Sequence, residues 1–222
     1  KFPKDVLEKK RYLLVKNGID LEKYRFCPET RERIRKQLGL GDGFTFVHVG
    51  RFAPEKNHSF FLELIPELIE RIPDFRFILV GAGPTKEEFQ KSVSSLGVLD
   101  RFVFLENISN VNEILFAGDC FLLPSLHEGF PIALIEAEAT GLPSIYSTLV
   151  TEEAMITEDT RRLPLCHPED WINAISIIHQ DYPKRDREKA VSILRKEGFD
   201  SKESARLLED IYRGDYALWR KN

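Results

Sequence analysis

A chain of 222 residues, 42% hydrophobic and 31% charged, can bury a substantial core as one large domain or two small ones. Its formal net charge of −4 argues against nucleic acid or an anionic membrane as the main partner. Cys27, Cys120 and Cys166 are odd in number and far apart, which excludes a disulfide framework or a metal site and fits structural cysteines in a reducing compartment. No apolar run is long enough to span a bilayer, and no signal-peptide pattern opens the chain. It begins on Lys1 rather than Met and is read as a fragment of a longer protein.

In chain order, Tyr12-Leu13-Leu14-Val15 reads as a short apolar strand, ended by the turn signal Lys16-Asn17-Gly18-Ile19-Asp20. Pro28 to Leu38 reads as a charged surface helix stopped by Gly39. After Gly41-Asp42-Gly43 strands and helices alternate. The strands are Phe44 to Val49, Phe75 to Val80, Phe102 to Leu105, Cys120 to Leu123 and Ser144 to Ser147. The helices between them are Ser59 to Ile72, with a kink expected at Pro66, then Lys86 to Leu96, Val111 to Ala117, and Ile132 to Thr140, the last stopped by Gly141 and Pro143. The strands are continuous apolar runs, as expected where both faces of a sheet are covered. This order predicts an α/β fold: a right-handed, doubly wound parallel sheet. Past Ser147 the strand signal fades. Pro168 to His179, Pro183 to Lys196 and Ser201 to Trp219 read as three helices that cap the sheet, with a second reading in which the last one presents Trp219 to a partner domain.

Ligands of open α/β sheets bind beyond the carboxyl ends of the strands, so the segments there are the candidate site. The first strand is followed by Gly50-Arg51-Phe52-Ala53-Pro54-Glu55-Lys56-Asn57, which carries two cations. Arg51 offers a planar fork of donors and Lys56 a compact charge, a pair suited to a diphosphate. The second is followed by Gly81-Ala82-Gly83-Pro84, where Lys86 occupies the place of a third glycine, so a dinucleotide fingerprint is incomplete. Leu105-Glu106-Asn107 after the third is left without a role. The fourth runs into His127-Glu128-Gly129-Phe130-Pro131 and the helix from Ile132, a strand–turn–helix unit that presents backbone amides to an anion. Glu128 lies in that turn and Glu136 more than one helical turn further in. His48, inside an apolar strand, is read as a core residue, and His127 is unassigned. Neither an Asp-x-Asp pair, a His/Cys cluster, a nucleophile elbow nor a Walker lysine loop is present.

These segments resemble a known family. Gly50-Arg51-Phe52 with Lys56-Asn57, Val80-Gly81-Ala82-Gly83-Pro84, Leu123-Pro124-Ser125 with Glu128-Gly129-Phe130-Pro131 and Glu136-Ala137, and Gly141-Leu142-Pro143 look like the C-terminal half of a GT-B-fold retaining glycosyltransferase. The family is glycosyltransferase family four, in the style of bacterial capsule and exopolysaccharide transferases. The resemblance runs from about Asn17 to the fifth strand, and its most specific part is the pair of glutamates with seven residues between them.

The resemblance implies a Rossmann-like donor domain over residues 25–222, preceded by an interdomain connection over residues 1–24. The substrate would be a nucleotide diphosphate sugar, expected to be a UDP-sugar, transferred with retention and without a metal or other cofactor. Arg51 and Lys56 would hold the diphosphate as leaving group. Glu128 would lie by the donor sugar, with Gly50 and the amides of Gly129, Phe130 and Ile132 around sugar and phosphate. Glu136 would take the ribose hydroxyls, and Gly81 and Gly83 would line the nucleotide pocket. A glycan or lipid-linked acceptor would bind through an N-terminal domain outside this chain, so the fragment alone is expected to be inactive. The protein is expected in the cytoplasm, with peripheral contact of the full-length protein at the inner face of the cell membrane. One departure is Ser147-Thr148-Leu149-Val150-Thr151-Glu152-Glu153, where many members carry a Gly-Gly turn. Rival readings are a stand-alone nucleotide-binding or regulatory module, and a GT-B-related nucleotide-sugar epimerase, which the paired glutamates oppose.

Overall fold

Six parallel strands lie in the order β3-β2-β1-β4-β5-β6 in the computed structural model, which describes residues 15–181 and 186–213. They are β1 (Thr45–Val49), β2 (Arg76–Val80), β3 (Phe102–Leu105), β4 (Cys120–Leu123), β5 (Ser144–Ser147) and β6 (Thr160–Leu163). The helices are α1 (Pro28–Gln37), α2 (Phe60–Arg71), α3 (Lys86–Ser95), α4 (Val111–Ala117), α5 (Ile132–Ala139), α6 (Pro168–Asp181), α7 (Ala190–Lys196) and α8 (Ser201–Arg213).

The predicted doubly wound sheet is what forms, for a reason visible in the side chains. Along each central strand, successive residues point to opposite faces. Phe46, Phe77, Leu79 and Leu122 pack with α2, α3 and α6, whereas Val47, Ile78, Phe121 and Leu123 pack with α1, α4, α5 and α7. All eight are fully buried, which is why the sequence shows continuous apolar runs rather than an alternation. Connections after β1 and β2 wind one way, and those after β3 and β4 wind the other. The strand order therefore reverses at the β1–β4 pair, which is in register at Phe46 with Cys120 and Val47 with Phe121.

Two differences from the sequence reading, at β6 and at the last helix, have physical causes. Strand β6, Thr160-Arg161-Arg162-Leu163, has no apolar run because it is an edge strand with only Thr160 buried; pairing with β5 makes it a strand. As expected, Pro66 lies within α2, and the helix continues past it to Arg71. The capping reading holds for α6, which buries Trp171, Ile172, Ala174, Ile175 and Ile178, and for α7, which buries Ala190, Val191 and Leu194. It does not hold for α8, which buries no side chain and is fastened at its start, where Asp200 accepts from the Lys202 amide at 2.9 Å. The expected strand residues Tyr12 to Leu14, the helix start at Pro183 and Trp219 lie outside the described residues. Residues 19–24 are bound into the core. Leu21 is buried, and Ile19 exchanges backbone hydrogen bonds of 2.9 Å with Phe199 and Ser201.

Candidate functional site

Adjacent strands that send their connections to opposite faces leave a crevice at their carboxyl ends. Here that crevice is bounded by residues 50–57 after β1 and residues 124–131 after β4. The two loops are tied together. The Leu126 amide donates to Glu55 O at 2.8 Å, and Lys56 Nζ lies 2.5 Å from Glu128 Oε1. Ser125 Oγ donates to the same carboxylate oxygen at 2.8 Å. The Lys56 and Glu128 side chains are only 20% and 12% exposed, so their charges are little screened by water. Lys56 is aimed by a single 3₁₀ turn, Pro54–Lys56, closed by Asn57 in the left-handed conformation (φ 53°, ψ 46°). Asn accepts that conformation more readily than other residues with a Cβ.

Arg51 is exposed and, among the described residues, makes no ion pair. The two cations of this loop thus differ in state: Lys56 is neutralised by Glu128, while Arg51 is uncommitted. Gly50 sits beneath them, where a β-carbon would meet His48 Nε2 at 2.9 Å and the Lys56 stem at 3.4 Å. Gly81 and Gly83 turn out to face the chain's own backbone. A β-carbon on Gly81 would lie 2.0 Å from Gly50 O, and one on Gly83 would lie 2.2 Å from Phe52 O. The pair seats the loop that carries Arg51 and Lys56, helped by Phe52 N–H donating to Ala82 O at 3.0 Å.

On the other wall, Pro131 (φ −81°, ψ 84°) forms an inverse γ-turn in which the Ile132 amide donates to Phe130 O at 3.0 Å. The Ile132 amide is therefore committed, against expectation. The amides of Gly129, Phe130 and Ala133 donate to no group among the described residues. They are the donors that this helix start offers. Gly129 is exposed and has open space at its β-carbon position, whereas the Phe130 ring packs parallel to Phe199 at 6.1 Å and anchors the turn.

Glu136, one turn into α5, receives a hydrogen bond on Oε1 from the Tyr24 hydroxyl. Burial holds the Glu136 carboxyl above its ordinary range, with the Tyr24 donor and Lys23 pulling it back, and burial beside Glu136 pushes the Tyr24 phenol up. His48 is a core residue as read: it is fully buried, its ring nitrogen Nδ1 is 2.8 Å from Leu122 O, and burial lowers its pKa to about 4. The ring is neutral at pH 7, with Nδ1–H as the donor to Leu122 O. His127 is exposed on the 124–131 loop. At the end of β3, Lys86 Nζ pairs with Glu106 at 2.6 Å, so both are placed near the glycine turn. Sequence reasoning assigns no role to Ser125 or Tyr24. Ser125 stands in the quoted Leu-Pro-Ser segment, but Tyr24 is 112 positions from its partner and carried no signal.

The family model described as "Glycosyl transferases group 1" matches residues 30–190, which include every residue of both crevice walls. The chain belongs to this family. Among curated relatives, EpsF of Bacillus subtilis (strain 168), which carries the name of a glycosyltransferase, is 32% identical over 219 residues, 95% of this chain and 56% of that protein. The UDP-Gal:alpha-D-GlcNAc-diphosphoundecaprenol alpha-1,3-galactosyltransferase of Escherichia coli is 31% identical over 210 residues, 90% of this chain and 53% of that one. The chain thus spans about half the length of the curated relatives it matches. Among solved structures, Anabaena Alr3699/HepE in complex with UDP superposes with a TM-score of 0.75 at 21% identity, over 90% of this chain and 57% of that one. A glycosyltransferase from Rickettsia africae ESF-5 superposes with a TM-score of 0.80 at 16% identity, over 98% of this chain and 62% of that one. The group 1 fold accounts for the six-stranded sheet and for the crevice at its switch point.

Proposed function

We propose that the chain is the donor-binding half of a retaining glycosyltransferase that moves a sugar from a nucleotide diphosphate sugar to a glycan or lipid-linked acceptor. The observation that carries this reading is the Lys56–Glu128 pair across the β1–β4 crevice, beside the start of α5 and its open amides. A helix N-terminus contributes roughly half a positive charge, too little to balance a diphosphate. Arg51 and Lys56 supply the remainder, and in this role they stabilise the leaving diphosphate as the glycosidic bond breaks. No metal is needed in this scheme. Glu128 lies by the donor sugar, Gly129 and Phe130 offer amides between sugar and phosphate, and Glu136 accepts from the ribose hydroxyls. Gly50, Gly81 and Gly83 shape the loop that holds the two cations.

Donor entry involves an exchange of partners, since Lys56 must share its charge between Glu128 and the diphosphate. UDP bound in the Anabaena neighbour and UDP-Gal in the name of the Escherichia coli relative support a uridine nucleotide as the donor carrier. The acceptor and the rest of the cleft belong to a further domain, with residues 1–24 as the connection; holding both reactants in one cleft is what makes transfer fast. Among the described residues no helix is long and apolar enough to cross a membrane. We place the protein in the cytoplasm, with any membrane contact peripheral.

The test is a thermal-shift screen of nucleoside diphosphates. A ligand at about one hundred times its Kd stabilises the folded chain by roughly 2.7 kcal/mol. For a chain of this size that is a shift of about 5–10 °C. Uridine diphosphate is expected to produce it, and absence of a shift with every nucleoside diphosphate would overturn the donor-site reading.

A further inference from the structure

We propose that Tyr24 is a positioning residue for Glu136, holding one carboxylate oxygen so that the other is presented to a vicinal diol; this rests on the donor-site reading above. The hydroxyl of Tyr24 donates to Glu136 Oε1, while Oε2 has no hydrogen-bond partner among the described residues. Glu136 is only partly buried and Oε2 is not sealed in the interior, so that oxygen keeps access to solvent. A glutamate on a helix has three rotatable bonds, and a directed acceptor needs them fixed by a neighbour that is itself fixed. Tyr24 meets that requirement. It is 6% exposed and sits at the end of a turn in which the Lys23 amide donates to Asp20 O at 3.0 Å and the Tyr24 amide to Leu21 O at 3.2 Å. The same turn is pinned to α4 by Asn112 Nδ2, which donates to Lys23 O at 2.9 Å. A phenol so placed cannot rotate away, and as a donor it favours the ionised carboxylate that a diol requires.

The bond could also serve only to fasten residues 19–24 to α5, and the experiment separates the two roles. Calorimetric titration compares uridine diphosphate with 2′,3′-dideoxyuridine diphosphate on the wild-type chain and on Tyr24→Phe, which keeps the buried ring. Tyr24→Phe is expected to weaken uridine diphosphate about tenfold, the order expected for one hydrogen bond to a charged group. It should leave the dideoxy nucleotide within about twofold, because no hydroxyl remains for Glu136 to hold. Equal weakening of both nucleotides, or no weakening of either, overturns the positioning role. A wild-type chain that binds the two nucleotides equally also overturns it, by removing the diol contact. A wild-type chain that binds neither overturns the donor-site reading itself.

Discussion

On the proposed donor-site reading, Glu128→Gln is expected to tighten nucleoside diphosphate binding while abolishing sugar transfer by the full-length protein. Lys56 Nζ lies 2.5 Å from Glu128 Oε1, so a phosphate oxygen accepting from the same ammonium falls about 5 Å from the carboxylate, given an N–O distance of ~2.8 Å. Two negative charges at that separation repel by roughly 2–3 kcal/mol at an effective dielectric of 20 to 40. Mobile ions and the residual exposure of both side chains reduce this to about 1 kcal/mol, or about fivefold in Kd. Gln keeps an oxygen for Ser125 Oγ, so the loop geometry survives. The opposite deletion behaves differently. Lys56→Ala leaves the Glu128 carboxylate, 12% exposed, without its cation, and should cost about 2–4 kcal/mol of stability as well as diphosphate affinity. Calorimetry at about 50 and 300 mM salt reads the effect, and the gain from Glu128→Gln should shrink at the higher salt. Weaker diphosphate binding by Glu128→Gln, or an equal gain for uncharged uridine, would refute the shared-cation reasoning.

Two further predictions concern the frame of the site. Gly81→Ala places a β-carbon 2.0 Å from the Gly50 carbonyl oxygen, a backbone atom that cannot swing aside. Urea unfolding should show a loss of about 3 kcal/mol, and uridine diphosphate affinity should fall although Arg51 and Lys56 are intact; an unchanged midpoint would show that the two loops do not bear on each other. Glu138, fully buried in α5, accepts from the Ile156 amide at 3.1 Å and from Thr160, while Oε2 is buried without a partner. Burial raises its pKa from 4.5 to about 7, so the folded chain binds this proton more tightly than the unfolded one. Its contribution to stability is full below pH 4.5 and is lost as pH rises through 7, to about 3 kcal/mol by pH 8. Relative to the wild type, Glu138→Gln should therefore gain about 2.5 kcal/mol between pH 5 and pH 8 in chemical unfolding; a constant difference across that range would show that Glu138 does not titrate there.

Much of the framework was legible from local patterns. Apolar runs such as Phe46-Val47 and Phe121-Leu122-Leu123 identify strands covered on both faces, and Gly141 and Pro143 mark where α5 stops. Once strands and helices alternate, right-handed crossovers dictate a parallel sheet, and the charged loops after β1 and β4 fall at its carboxyl end. All of that follows from interactions between residues close in sequence. Tertiary structure decided the rest, because the partners are far apart in the chain. Strand β6 exists through its pairing with β5, and the two glycines are required by the carbonyls of Gly50 and Phe52. Lys56 meets Glu128 across 72 positions and Tyr24 meets Glu136 across 112, pairings that no spacing rule encodes. The sequence by itself determined which charges stand at the crevice; only the folded backbone decided which are already paired and which remain open to a ligand.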